Sequence, residues 1–418
     1  MKSTFLKTLV AASVLASCAA FAQQTVKIAY IDGLSGMMGP VGQNQVKSFA
    51  EVLNRANDAK TPWAPGYKFQ LDTYDNKTSP QETLTILKTV IDQGYRYVAQ
   101  GNSSGVGMAL QDAVNKHNER NPGKEIVYIN YAAIDPDMTN SKCSFWHFRF
   151  DANVDQKMEA LTNFIKDEKA VKNVFLLNQN YSFGHQVAKA AKAMLERKRP
   201  DVKIVGEDLH PIAQVKDFSP YVAKIKASGA DSVITGNWGS DMALLIKAAN
   251  DAGLKVNFYT YYAGTTGVPT AMGATGVDRV RMVSYWHPND SRFSGQDIVQ
   301  SMKDKTKDDF YTMATYTSIR VLADAVNKAK SADPVRVAFA MEGIKSKSLN
   351  GEVEMRAADH QLQQPLAINV WAKTDNKTVK YDQENTGYGW KTLSYQPAYV
   401  GVQPHSCDMK RPPRPAGA

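Results

Sequence analysis

Short apolar runs alternate with amphipathic stretches along this chain, and their spacing predicts its architecture. Val26 to Ile31 is a β-prone run, followed by a Gly-rich loop from Gly33 to Gly42 and a helical pattern through Ala59. Tyr67 to Tyr74 reads as a second strand. Pro80 to Gln93 reads as a helix, with Pro in its first turn and Leu84, Leu87, Val90 and Ile91 at helical spacing. Arg96 to Gln100 is a third strand, Val106 to Lys116 the next helix, and Glu125 to Asn130 a fourth strand. This βαβαβαβ order predicts a parallel sheet with helices on both faces.

The order then repeats. Strands are predicted at Val171 to Asn178, Val202 to Gly206, Asp231 to Thr235 and Val256 to Thr260. Helices are predicted at Gly184 to Arg197, Phe218 to Ser228 and Asp241 to Gly253. The fold class is therefore α/β with two doubly wound halves, and the break between them falls near residues 143–152. Further on, Val280 to Trp286, Gly351 to Met355 and Leu366 to Trp371 read as strands and Tyr311 to Lys330 as a long helix. No low-complexity segment separates them from what precedes. They are additions to the two halves, so the chain crosses between lobes more than once. From Gln403 the Pro-rich KRPPRP stretch predicts a flexible tail, residues 403–418.

Composition supports a folded chain. Of 418 residues 43% are hydrophobic and 22% charged, and the length favours two domains over one core. The 50 Lys+Arg against 41 Asp+Glu give +9 formally. That charge is spread out, with no dense basic block before KRPPRP and no recognition motif, so nucleic acid is not an expected partner. The only long apolar run lies at the start, which excludes a polytopic membrane protein. There Lys2 and Lys7 precede the apolar stretch Leu9 to Ala20, and Ala20-Phe21-Ala22 fits the small-x-small cleavage rule. Residues 1–22 are read as a signal peptide. Its loss, with Lys2 and Lys7, takes the formal charge from +9 to +7. Leu15-Ala16-Ser17-Cys18 also fits a lipoprotein box with Cys18 lipidated; cleavage after Ala22 is preferred. Either reading puts the protein outside the cytoplasmic membrane, in the periplasm. Outside the leader only Cys143 and Cys407 remain. In an oxidising compartment an even pair can form one disulfide, constraining the unfolded chain by roughly 4–5 kcal/mol. Two unreactive thiols are the alternative.

Gly101-Asn102-Ser103-Ser104-Gly105 matches G-x-S-x-G between a strand and a helix. A secreted α/β-hydrolase would use Ser103 as nucleophile, with Asp241 and His287 as candidate partners. No sequence feature singles those two out. The preferred reading is non-catalytic: such a turn offers N–H groups and hydroxyls at a helix N-terminus, a pocket for a ligand carboxylate. Simple turn geometry is the third reading. Gly105-Val106-Gly107 begins a dinucleotide fingerprint, but Leu110 stands at the third Gly position and no cofactor is expected. The seven His lack metal-ligand spacing, so no metal site is expected. Aromatic residues gather after successive strands: Tyr181 and Phe183, then Trp238, then Tyr259, Tyr261 and Tyr262, which end or follow the next strand. Ligands of open α/β sheets lie outside the carboxyl ends of the strands, where such rings can line a half-apolar pocket.

Several passages resemble the leucine/isoleucine/valine-binding proteins, the type I periplasmic solute-binding proteins of ABC transporters. They are VKIAYIDGLSG followed by Gly39-Pro40-Val41-Gly42, then YDNKTSP at 74–80 and the Ser-Ser-Gly turn. AAIDPDMT at 132–139, Phe148-Arg149, Tyr181-Ser182-Phe183-Gly184 and Lys216-Asp217-Phe218-Ser219 continue it in order. The resemblance covers about Val26 to Trp371. It implies two doubly wound lobes joined by a three-stranded hinge, with residues 23–148 plus 288–360 in the first and 149–287 plus 361–402 in the second. It places carboxylate-binding segments on Ser103 and Ser104 and on Ala133 and Ile134. Aromatic walls fall on Phe183 with Tyr181, and on Trp238, and a further apolar contact near Tyr311. This sequence departs from the family's amino-acid binders twice: Ile134 stands where they usually have Thr, and Tyr262 where an acid holds the ligand ammonium. Asp241 and Asp32 are the candidates to take that ammonium from another direction.

The reading is a monomeric, non-enzymatic solute-binding protein of a branched-chain-amino-acid-type ABC transporter, feeding an inner-membrane permease. Its ligand is an amino acid or an aromatic or aliphatic acid. A hydrolase using Ser103, and a binding protein feeding a sensor system, are the alternatives.

Overall fold

The computed structural model describes residues 23–417, so the predicted leader and Cys18 lie outside the described residues. The first strand β1 (Gln24–Asp32) is followed by α1 (Gly39–Ala56), β2 (Tyr67–Asp75), α2 (Pro80–Asp92), β3 (Tyr97–Gln100), α3 (Ser104–Arg120), β4 (Val127–Asn130) and β5 (His147–Arg149). These strands form one parallel sheet in the order β2-β1-β3-β4-β5. The central strands β3 and β4 are buried along their whole length, as strands covered by helices on both faces must be. The helix starts follow local chemistry. Ser79 accepts the Glu82 N–H and Pro80 occupies the first turn of α2.

The chain then enters the second lobe. It contains α4 (Val154–Ile165), β6 (Asn173–Gln179), α5 (Ser182–Lys198), β7 (Lys203–His210), α6 (Ser219–Ala227), β8 (Ser232–Thr235), α7 (Gly239–Asp251), β9 (Asn257–Thr260), α8 (Val268–Met272) and β10 (Val280–Ser284). Three helices follow, α9 (Gln296–Thr306), α10 (Met313–Ala329) and α11 (Pro334–Met341), and α9 and α10 return to pack on α1. A small antiparallel sheet comes next, β11 (Lys345–Ser348), β12 (Gly351–Met355) and β13 (Leu362–Gln363). The chain ends with β14 (Leu366–Lys373) and β15 (Tyr388–Gln396), which complete the second sheet in the order β15-β14-β10-β9-β8-β6-β7. The last two strands run antiparallel to their neighbours, and the other pairs in that sheet are parallel.

Side-chain alternation decides the layers of the second sheet. On β6, Val174 and Leu176 join the core shared with α4 and α5, while Phe175 and Leu177 join the opposite core with Phe218, Met242 and Leu245. Several short elements, among them β5, α4, α9, α11 and β15, have no counterpart in the predicted pattern. The strand predicted over Val280 to Trp286 ends at Ser284.

The chain passes between lobes three times: after β5, after β10 and after β13. Side-chain amides tie the crossings together. Arg149 Nε donates to Gln361 Oε1 at 2.6 Å, and Gln361 Nε2 donates to the Asp151 carbonyl at 2.8 Å. Gln364 Nε2 donates to the Phe150 carbonyl at 2.9 Å, and Asn350 Nδ2 to that of Tyr285 at 3.1 Å.

The expectation of a flexible tail from Gln403 is corrected by the contacts of residues 403–411. Cys407 is bonded to Cys143 of the first lobe. The Gln403 carbonyl accepts from Arg356, the Ser406 N–H reaches Asn140 Oδ1, Met409 is buried and Arg411 pairs with Glu342 at 3.1 Å. The segment has no helix or strand periodicity because covalent and side-chain contacts hold it, not a hydrogen-bonded ladder.

Candidate functional site

Between the lobes lies a cavity with about 100 Å³ of water-accessible space, room for a small solute and far too little for a macromolecule. Its floor on the first lobe is the turn from β3 into α3, where Gly101, Asn102, Ser103 and Ser104 all line the space. Asp32, at the end of β1, holds this turn. Its Oδ2 accepts the N–H groups of Gly101 (2.9 Å) and Asn102 (3.0 Å) and the Tyr131 hydroxyl (2.5 Å), while Oδ1 accepts the Gly33 N–H (2.8 Å). Burial lifts the Asp32 carboxyl to about 6, against those four hydrogen bonds. Ser103 takes a positive φ of 74° at the mouth of the helix. Ser104 Oγ accepts the Asp135 N–H at 3.2 Å, which joins the turn to the 132–135 loop.

The opposite wall is aromatic. Tyr181 is the N-cap residue of α5 and Trp238 that of α7, and Tyr261 and Tyr262 follow β9. Trp238 Nε1 donates to the Tyr181 hydroxyl at 2.9 Å. Phe183 is buried among these rings, with centroids 5.8 Å from Tyr181, 5.9 Å from Tyr261 and 6.0 Å from Tyr262. The cavity therefore receives the N-terminal ends of three helices, α3, α5 and α7, each with the positive end of its dipole. Across the mouth, the Tyr311 hydroxyl of the first lobe meets Thr266 of the second, 3.2 Å from its N–H and 2.9 Å from its Oγ1.

Of the residues singled out in the sequence, Ser103, Ser104, Ile134, Tyr181, Phe183, Trp238, Tyr262 and Tyr311 line this one cavity. Ala133 does not. Its N–H donates to Asn130 Oδ1 at 2.8 Å and its methyl group packs where a Cβ on Gly107 would lie, so Ala132 takes its place in the lining. Neither Asp32 nor Asp241 reaches the cavity as an acid for an ammonium. Asp32 is consumed by the turn, and Asp241 Oδ2 accepts from Gln179 Nε2 at 2.7 Å and the Ala213 N–H at 3.0 Å. A Ser103–His287–Asp241 constellation is not assembled either. His287 Nε2 is paired with Thr392 Oγ1 at 2.7 Å, and burial pushes its pKa down to about 4.

Among the polar lining residues that the sequence did not single out are Asp151 and Lys157, with Gln45, Asp309 and Asp382. Asp151 and Lys157 form a buried ion pair, Nζ to Oδ1 2.9 Å, and the Tyr262 hydroxyl donates to Asp151 Oδ2 at 2.9 Å. Burial raises the Asp151 pKa and lowers that of Lys157. A signal existed. Asn153 and Gln156 form a capping box for α4, and Lys157 then falls on the apolar stripe Val154, Met158, Leu161 and Ile165. A lysine on a buried face needs a partner.

Residues 25–376 match the family described as "Periplasmic binding protein". The chain is 31% identical over 412 residues to "Leu/Ile/Val-binding protein homolog 4" of Brucella abortus (strain 2308), covering 96% of this chain and 97% of that protein. Its structure resembles that of the leucine-, isoleucine-, valine-, threonine- and alanine-binding protein of Brucella ovis in its closed conformation. There the TM-score is 0.81 at 30% identity, over 93% of this chain and all (100%) of that one. A Rhodopseudomonas palustris solute-binding protein solved in complex with benzoate has the same fold at 18% identity, with a TM-score of 0.76 over 92% of this chain and 99% of that one.

Proposed function

We propose, from the premise that this chain belongs to the periplasmic binding proteins of ABC transporters, that it captures a small carboxylate-bearing solute between its lobes and hands it to an inner-membrane permease. One observation carries this reading: three helix N-termini and the Gly101–Ser104 turn meet an aromatic wall in a single cavity. The positive dipole ends of these helices favour an anion. The rings of Tyr181, Phe183 and Trp238 offer its body an apolar surface. In this reading Ser103 and Ser104 hold the carboxylate, while Ile134, Tyr262 and Tyr311 complete the enclosure. Closing the lobes excludes water, which strengthens each of these contacts. The relatives' names widen the choice of body: leucine, isoleucine and valine for the Brucella proteins, with threonine and alanine added for the Brucella ovis one, and benzoate for the Rhodopseudomonas one.

A thermal-shift panel on the mature protein tests it, with aliphatic amino acids, phenylalanine, benzoate, hydroxybenzoates, hydroxycinnamates and simple aliphatic acids. A ligand at about a thousand times its dissociation constant adds about 4 kcal/mol, a rise of several degrees. Ser103→Ala is expected to reduce that rise without lowering the unliganded melting temperature. A panel in which no carboxylate shifts the transition would refute the reading.

A further inference from the structure

Each acid of the cavity faces a resident lysine, one lysine serving Asp151 and a second shared by Asp309 and Asp382. Among the described residues three carboxylates line it, Asp151, Asp309 and Asp382. Asp151 holds Lys157 Nζ at 2.9 Å and 3.0 Å on its two oxygens. Asp382 holds Lys303 at 3.0 Å, and Asp309 lies 3.5 Å from that same ammonium while accepting the Glu384 N–H at 2.6 Å. Asp151 and Lys157 are sealed from solvent, at 0% and 1% exposure. Lys157 Nζ also stands 4.3 Å from the centroid of the Tyr262 ring and 5.5 Å from that of Tyr285, so the cation-binding face of Tyr262 is occupied.

We infer that Lys157 is a built-in ammonium that sets the solute class: the cleft takes carboxylic acids lacking an α-ammonium and rejects the matching amino acids. This rests on the carboxylate reading given under Proposed function. A solute ammonium entering here would have to leave water. Asp151, the fully buried acid, already has its charge balanced by Lys157, so it offers a second ammonium no free countercharge. A resident ammonium on the fully buried acid discriminates between solutes of the same body and carboxylate, because the amine then loses its hydration without gaining a countercharge. It also gives Tyr262 a role in the pair: its hydroxyl completes the Asp151 site and its ring covers Lys157.

The test is calorimetric titration of the mature, disulfide-bonded chain with matched pairs: propionate and alanine, isocaproate and leucine, hydrocinnamate and phenylalanine. The expected result is that the acid of the best-bound pair binds at least about tenfold tighter than its amino acid. Lys157→Met, which leaves Asp151 without its cation, is expected to shrink or invert that ratio. An amino acid binding tighter than its acid, or an unchanged ratio in a folded Lys157→Met protein, overturns the assignment of Lys157 and leaves the carboxylate reading intact. The wild-type ratio decides the matter alone if the variant does not fold. Isocaproamide and propionamide separate the two readings: amides that bind where no carboxylate does overturn the carboxylate reading, and this inference with it.

Discussion

A single histidine shows how burial turns a titratable group into a structural one. His287 is enclosed and hydrogen-bonded to Thr392, and burial lowers its pKa from 6.5 to about 4. In the unfolded chain it protonates near 6.5. The stability that depends on its neutrality is therefore full above pH 6.5 and is lost as the pH falls toward 4. The linkage is worth about 3 kcal/mol. Asp32 works with the opposite sign. Its raised pKa makes its contribution full below 3.8 and lost as the pH rises through about 6. The expected outcome is that the stability advantage of the wild type over His287→Gln shrinks by about 3 kcal/mol between pH 7 and pH 4, measured by urea unfolding at each pH. At this scale the sequence was informative about type and poor about direction. Ala133 and Ile134 are adjacent, yet only Ile134 faces the cavity, because Asn130 consumes the Ala133 N–H and the methyl turns toward α3.

Among the elements, the strand-to-helix junctions carry the site. Tyr181, Trp238 and Ser103 are N-cap residues after strands, and Ser104 opens the helix that follows Ser103, so their neighbours in sequence give them a fixed exit. Gly184 shows how tight that exit is. A Cβ there would lie 1.9 Å from the Gln179 carbonyl oxygen, so α5 can leave β6 only if this residue has no side chain. Gly184→Ala is expected to cost about 1–3 kcal/mol of stability and to weaken solute binding by tilting Phe183 and Tyr181, read by thermal denaturation with and without the best ligand. Long, strongly periodic elements such as α2, α5 and α7 were legible in the chain. α4 was not singled out, and with it Lys157 was missed, because a lysine interrupts its apolar stripe and only Asp151 explains why.

At the scale of the whole molecule, three crossings make two lobes into one device, and a disulfide clips the end of the chain to the first of them. Cys143 and Cys407 are 264 residues apart in sequence, so their bond closes a loop of well over half the described residues. Reduction is expected to lower stability by about 2–5 kcal/mol while leaving solute affinity unchanged, because neither cysteine lines the cavity. Calorimetry of the oxidised and reduced protein checks both halves of that statement. The α/β class with its two halves, and the placing of most of the aromatic residues after strands, were determined by the sequence alone. Each follows from local periodicity or from position after a strand, and those signals lie within a few residues of one another. The anchored tail, the amide-laced crossings, the inward turn of Ile134 rather than Ala133, and the pairing of Asp151 with Lys157 were decided only by the tertiary structure. Each depends on which remote or differently oriented groups meet once the lobes are packed. A buried charge or an unpaired amide takes its meaning from its partner, and periodicity does not report partners.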